Sequence, residues 1–316
     1  MSDGSEALAP IMAGDKGTLL FRRDFQGLTG GHLKVWHYFQ HSQSSSRFTP
    51  RIHLTPLSTR GADNPWSDVF PGSAAAWEPQ AAAALFVAGL DWEAVPDPCP
   101  VPVVNLVQHV RHAHAGDPRR RFLPRRAVRI CVSEEVAEAV RGTGEANGPV
   151  VAIPNGIDVE NIPSAGTRDV QVLIAGLKNP PFATLLGERL RAAGLDVETV
   201  SDLRPRGEFL GHLARARIVV TLPTKDEGFF LPALEAMAAG AIVVCPDCVG
   251  NRGFCLDGIT CLRPAYTLEA VTAATLQAAT LSPAAVAAML DAAADQARRH
   301  GLERERLAFL EILDSL

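Results

Sequence analysis

Short apolar runs alternate with longer amphipathic segments along the whole chain. In the first half the runs are GTLLFRRDF (17–25), RIHLTPL (51–57), AALFVAGLDW (83–92), VPVVNLVQHV (101–110), AVRICVS (127–133) and GPVVAIPNGID (148–158). Several are apolar on consecutive positions, which is how strands of a parallel sheet covered on both faces read. HLKVWHYFQHS, with Leu33, Trp36, Tyr38 and Phe39, has a helical face, and Ser133 caps EEVAEAVRG. Residues 58–80, rich in Gly, Pro, Ser and Trp, read as loop. The second half repeats the alternation: strands VQVLIAG, DVETV, RIVVTLP and AIVVCP, and helices FATLLGERLRAAG, GEFLGHLARA and LPALEAMAAG. Thr267 and Ser282-Pro283 open two further helices. Strand–helix alternation in both halves predicts an α/β protein with two Rossmann-like domains. The short polar link ENIPSAGTR (160–168) divides it into 1–162 and 163–316.

Length agrees with two domains: 316 residues exceed one ordinary core. The net charge of −5 gives no support for a polyanion partner. The basic stretch RRRFLPRR (119–126) reads first as a solvated loop, with an anionic membrane surface or an anionic acceptor as alternatives. No apolar run is long enough to span a bilayer, and MSDGSEALAP lacks a signal-peptide core, so a cytoplasmic location and reduced cysteines are expected. Only four lysines, at 16, 34, 178 and 225, stand among 26 arginines, which makes each worth following.

The most informative stretch is DEGFFLPALEAMAAG (226–240), where Glu227 and Glu235 bracket seven uncharged residues. Glu227 follows a strand, at the sheet edge where ligands of open α/β folds bind. Pro232 suits a first helical turn and Gly240 a helix end; Leu234, Met237 and Ala238 form the face expected to pack. Glu235 is expected in the first turn, near the same cleft. A helix N-terminus offers unpaired N–H groups to phosphate, which carboxylates beside it would repel. Carboxylates flanking such a site fit hydroxyls on either side of a diphosphate, the layout of a nucleotide-sugar.

EGFFLPALEAMAAGAIVV resembles the E-x7-E signature of retaining glycosyltransferases of the glycogen-synthase-like and sucrose-synthase-like group, which have the GT-B fold. VSEEVAEAV…VVAIPNGIDVENI resembles the end of that family's first domain, and LTGGHLKVW its Gly-Gly loop. The resemblance implies two domains facing a cleft, the first on the acceptor side and the second binding the donor. It implies that Glu227 binds donor-sugar hydroxyls and Glu235 the ribose, while the backbone of Gly228, Phe229, Phe230 and Leu231 meets sugar and phosphate. Lys178 would serve the diphosphate, Gly30 and Gly31 would approach it, and His109 would contact the sugar near its reacting carbon. Catalytic roles thus fall to His109 and Glu227. The sequence departs from the family in having Phe230 where Gly is usual, and GLKNPP where a longer cationic motif is usual; Lys225 is a candidate for the missing charge.

The implied reaction is glycosyl transfer with retention, without metal or cofactor; no Asp-x-Asp motif stands in a metal-binding context. UDP is the default donor nucleotide, ahead of GDP and deoxy-TDP. The acceptor stays open among small molecules, glycans, lipids and nucleic-acid bases, and so does the oligomeric state. A non-catalytic sugar-nucleotide-binding subunit, or a phosphorylase or epimerase on the same fold, are the competing readings. Cys245, Cys248, Cys255 and Cys261 as a zinc site, and His109, His112 and His114 as a metal cluster, rank below free thiols and loop histidines. Trp66, Trp77 and Trp92 are expected to pack in the core or in loops.

Overall fold

Every apolar run singled out above becomes a strand in the computed structural model, which describes residues 16–61, 64–68, 71–163 and 166–316. The amino-terminal decapeptide, expected to carry no targeting segment, and positions 164 and 165 of the polar link lie outside these. The first half forms a six-stranded sheet from β1 (Gly17–Arg23), β2 (Phe48–Leu54), β3 (Ala84–Ala88), β4 (Val103–Val107), β5 (Val128–Cys131) and β6 (Val150–Ala152). Its order is β2-β1-β3-β4-β5-β6, with every pair parallel. β3 and β4 are buried along their whole length, which is why they read as unbroken apolar runs. Pro50, which cannot donate to a ladder, sits in the edge strand β2.

The second sheet orders β7 (Val170–Ala175), β8 (Val197–Val200), β9 (Ala216–Thr221) and β10 (Ile242–Val244) as β10-β9-β7-β8, again all parallel. Helices α1 (Gly30–Ser42), α2 (Pro65–Asp68) and α3 (Glu134–Gly142) belong to the first half. The second half supplies α4 (Pro180–Ala192), α5 (Arg206–Arg215), α6 (Leu231–Ala238), α7 (Leu268–Ala279), α8 (Pro283–Arg299) and α9 (Leu302–Ser315). Ser133, Thr267 and Ser282 cap α3, α7 and α8 through their hydroxyls. α4 starts two residues earlier than its apolar pattern, because Asn179 caps it and prolines fill its first turn. The segment 58–80 contains α2 and short 3₁₀ turns rather than loop alone. Trp66 there is buried, with Trp36 at 5.5 Å and Phe25 at 5.9 Å between ring centroids.

The basic stretch 119–126 is largely absorbed locally. Arg119, Arg120 and Arg121 pair with Asp117, Glu145 and Glu93, and Arg125 donates to carbonyls of residues 92–96. Beneath them the fully buried Arg129 of β5 donates to the carbonyls of Phe122, Leu123, Arg125, Ala127 and Asn147. Trp92 stacks on Phe122, and Trp77 donates to the Ala94 carbonyl, so both tryptophans serve packing.

The last helix returns to the first half, where α9 packs on α1. Lys34 of α1 and Glu305 of α9 are both 1% exposed. The Lys34 ammonium reaches Glu305 Oε1 at 2.8 Å, the Gly156 carbonyl at 2.9 Å and His37 Nδ1 at 3.0 Å. Glu305 also accepts from His41 Nε2 at 2.9 Å and from the Gly156 amide at 2.6 Å. The chain crosses between the halves near 156–162 and again near 300–301. The two crossings are tied together, since Ile157 N donates to the His300 carbonyl at 2.8 Å. One apolar core therefore runs from the first sheet through Ile153, Ile157 and Ile162 to α6, α8 and α9. No single described helix is long and apolar enough to cross a membrane, and α7 and α8, which have the composition together, meet at a bend of 112°.

Candidate active-site cleft

In a parallel α/β sheet the loops at the carboxyl ends of the strands carry the ligand site. Here both sheets turn those ends toward a shared cleft, which holds a cavity of about 480 Å³. The second half supplies Lys178 after β7, Glu227, Phe229 and Phe230 after β9, and Leu231 and Glu235 of α6. The first half supplies Gly30 and Gly31 at the start of α1, and Gln108 and His109 after β4. Of the residues expected at the site, all but Gly228 line this cavity.

Gly228 has a different task. A Cβ there would stand 2.2 Å from the Gln108 carbonyl oxygen, so only glycine allows the loop after β9 to lie against the loop after β4. The two loops form a seam: His109 and Glu227 make an isolated antiparallel bridge, and the His109 ring Nδ1 lies 3.3 Å from the Asp226 carbonyl. Gly31 faces a similar squeeze, because a Cβ would meet the Gln108 side-chain oxygen at 3.0 Å. The Gln108 amide nitrogen donates to the Gly31 carbonyl at 3.2 Å. Gly250 pushes from the other side: a Cβ on it would come within 2.5 Å of the Phe229 amide nitrogen, and its carbonyl accepts from Phe230 N at 3.0 Å.

Glu227 is 5% exposed. Its Oε1 accepts from the Thr224 hydroxyl at 2.9 Å and lies 3.4 Å from Lys178 Nζ; its Oε2 is 4.0 Å from His109 Nδ1. Burial lowers the His109 pKa below its usual value against the pull of Glu227, so the ring is neutral near pH 7. Glu235 is 1% exposed and its Oε1 accepts from Arg206 Nη2 at 2.7 Å. Helix α6 begins at Leu231, so Glu235 falls in its second turn, not the first. Its buried residues include Ala233, Leu234, Ala236 and Met237, whereas Ala238, expected on the packing face, is only half-buried. No side chain caps its N-terminus at Phe230. The orphan N–H groups and positive dipole end of the helix are therefore available between the two carboxylates.

Arg206 was not foreseen; a cation in a helix's first turn opposes the helix dipole, which was the available hint. Lys225 is exposed and outside the cavity lining, whereas Arg206 is part of it. The other lysines serve structure, Lys16 on the Ser45 carbonyl and Lys34 in the buried cluster. The six cysteines are free thiols, and Asn251 Nδ2 donates to Cys245 Sγ at 3.1 Å. Among the described residues no three His, Cys, Asp or Glu side chains come together to hold a metal ion.

Residues 157–280 match the family model described as glycosyl transferases group 1. No curated protein sequence matches the chain. Among solved structures, sucrose-phosphate synthase from Thermosynechococcus elongatus superposes with a TM-score of 0.70 at 12% identity, covering 95% of this chain and 99% of that one. HepE from Anabaena, in complex with UDP-glucose, gives 0.73 at 14% identity over 95% of this chain and 100% of its own. A glycosyltransferase from Rickettsia africae ESF-5 gives 0.63 at 11% identity over 95% and 98%. The chain therefore has the GT-B fold, two parallel α/β domains facing a cleft, and its residues 157–280 match the glycosyl transferases group 1.

Proposed function

We propose that this protein is a glycosyltransferase that moves a sugar from a nucleotide-sugar, with UDP as the nucleotide, to an acceptor held by the first domain. The observation that carries the reading is the wall built by Glu227, the uncapped start of α6 and Glu235, with Lys178 and Arg206 beside them. Hydroxyl-binding carboxylates at both ends of a phosphate-binding helix terminus match a sugar, a diphosphate and a ribose in that order. The family match and the UDP-glucose complex of the structural neighbour point the same way.

In this reading Glu227 holds the donor sugar, Glu235 the ribose, and the backbone of Gly228 to Leu231 the groups between. Lys178 and the start of α6 stabilise the departing diphosphate. The acceptor oxygen bonds to the anomeric carbon on the face that the diphosphate leaves. The carbon–oxygen bond to phosphate breaks with its electron pair going to the nucleotide, and a phosphate oxygen takes the acceptor's proton. Configuration is retained, and neutral His109 lies against the sugar near the reacting carbon. The protein contributes positioning and charge stabilisation.

The test is thermal stability with UDP, GDP, deoxy-TDP, UMP and UDP-sugars, followed by NMR of the product's anomeric configuration. A ligand at a hundred times its Kd stabilises by about 2.7 kcal/mol. Stabilisation by a nucleoside diphosphate, a retained anomer, and turnover that survives chelation by EDTA are expected. No response to any nucleotide overturns the reading. Phosphate-dependent sugar release would make the protein a phosphorylase, and nucleotide-sugar binding without transfer to any acceptor a binding subunit.

A further inference from the structure

A second cavity, of about 780 Å³, adjoins the first and shares Thr29, Gly31, Gln108, His109 and Arg111 with it. It is built by the first sheet alone. Its walls are the segments that follow β1, β2, β3 and β4, over the point where the strand order reverses between β1 and β3. That is where an open parallel sheet takes a ligand.

Its chemistry is dominated by guanidinium groups. Arg22 and Arg23 end β1, and both reach one carboxylate, Asp91, at 3.4 Å and 2.6 Å. Asp91 is 5% exposed, and it also accepts from the Ala88 amide at 3.2 Å, which fixes the turn after β3. Arg23 suffices for that structural role. Arg22 makes the longer contact, with its guanidinium 6.0 Å from the Trp77 ring, and shares the cavity with the Asp24 carboxylate, on which its charge acts, so Arg111 is the arginine left to give the cavity its positive balance. Arg23 Nε is buried without a hydrogen-bond partner. At the junction of the two cavities Arg111 is exposed, and its side chain has no ion pair or hydrogen bond among the described residues. The neighbouring charges are spent: Arg119 on Asp117 and Glu93 on Arg121. The imidazoles add none. Burial, reinforced by Arg23, pushes His32 down to about 4, and burial with Arg119 pushes His112 down to about 3. Asp24, hydrogen-bonded by Gln26 and Thr55, offers the cavity one carboxylate suited to hydroxyls.

We propose that this second cavity binds the acceptor, and that the acceptor is a small polyhydroxylated molecule bearing an anionic group, phosphate or carboxylate, held by Arg22 and Arg111. The acceptor role rests on the donor reading of the first cavity; anion binding does not. Guanidinium forks match both oxyanions in geometry. Arg111 sits where a group bound in one cavity faces a group bound in the other.

The probes are glucose 6-phosphate, glucuronate, glucose and inorganic phosphate, titrated by calorimetry without nucleotide and again with UDP. Glucose 6-phosphate or glucuronate is expected to bind at least about tenfold tighter than glucose, as a charge-assisted contact requires. Whichever of the two binds tighter identifies the oxyanion. Arg22→Gln and Arg111→Gln are each expected to remove most of that preference. Arg22→Gln, which lies outside the first cavity, is expected to leave UDP affinity unchanged and so reports that the variant is folded. Equal binding of the anionic and neutral hexoses overturns the proposal, and so does a preference unchanged in both variants. Inorganic phosphate binding as tightly as glucose 6-phosphate means an adventitious anion only, which also overturns it. If UDP binds and no anionic hexose does, the acceptor proposal fails and the donor reading stands. If glucose 6-phosphate binds and no nucleotide does, the donor reading fails and the anion site stands.

Discussion

Replacing Glu305 by Gln tests how the two halves are joined. The side chain is buried, and its two oxygens accept from Lys34, His41 and the Gly156 amide. A glutamine keeps the size but turns an NH₂ group toward donors, and it leaves the buried Lys34 ammonium without its counter-charge. Breaking a buried ion pair from one side costs about 3–5 kcal/mol. At about 2–4 °C per kcal/mol for chains approaching this length, the melting temperature should fall by about 6–20 °C. The assay is urea unfolding and calorimetry of the wild type, Glu305→Gln, Lys34→Met and the double variant Lys34→Met/Glu305→Leu. The double variant removes both charges together and should be more stable than either single one. Burial alone would raise the Glu305 carboxyl, but Lys34 and His41 outweigh it and hold it below its ordinary value of 4.5. The unfolded chain then binds more protons between the two pKa values. Its stabilisation is complete above about pH 4.5 and is lost as pH falls through the folded value, so the gap between wild type and Glu305→Gln should be full at pH 7 and close in acid. A single variant that costs under about 1 kcal/mol, or a double variant weaker than both singles, would refute the reasoning.

Other expectations concern the cleft. Lys178→Ala should weaken UDP much more than uridine in calorimetry; equal losses would remove the lysine from the phosphate site. Glu227→Gln should reduce turnover far more than UDP affinity, because losing a charge-assisted hydrogen bond to the sugar costs about 1.5–3 kcal/mol. Matching losses of turnover and UDP affinity would reassign it. Gly228→Ala must push the seam apart at Gln108, costing about 1–3 kcal/mol of stability and a larger share of turnover. An alanine variant with unchanged melting temperature and activity would show that the seam is not needed.

β3, β4 and β10 were legible because parallel strands buried on both faces read as near-continuous apolar runs, too short for a helix. The carboxyl-end cleft was legible because Glu227 and Glu235 interrupt an apolar stretch at a strand end and in a helix, where charge has no packing purpose. Other parts left no local trace. Arg22 and Arg111 are inconspicuous in a chain with 26 arginines, and only the folded cavities separate them from arginines that bind carbonyls. Glu235 is the fifth residue of α6 counted from Leu231, which puts it past the first turn of 3.6 residues. The partnership of Lys34 with Glu305 spans 271 residues, and neither residue's neighbours announce it.

That partnership also sets an order of events during synthesis. Gly156, which closes the first sheet's share of the chain, must wait for Glu305 across 149 further residues. At about 5–20 residues per second the wait is about 7–30 s. Throughout it the strands of the first sheet are complete, yet α1 has no helix to cover the face that carries Lys34. A helix made late, α9, is therefore a keystone for the amino-terminal half. A ribosome that stops short of α9 releases a chain whose amino-terminal half is unfinished, although all of that half's own strands have been translated.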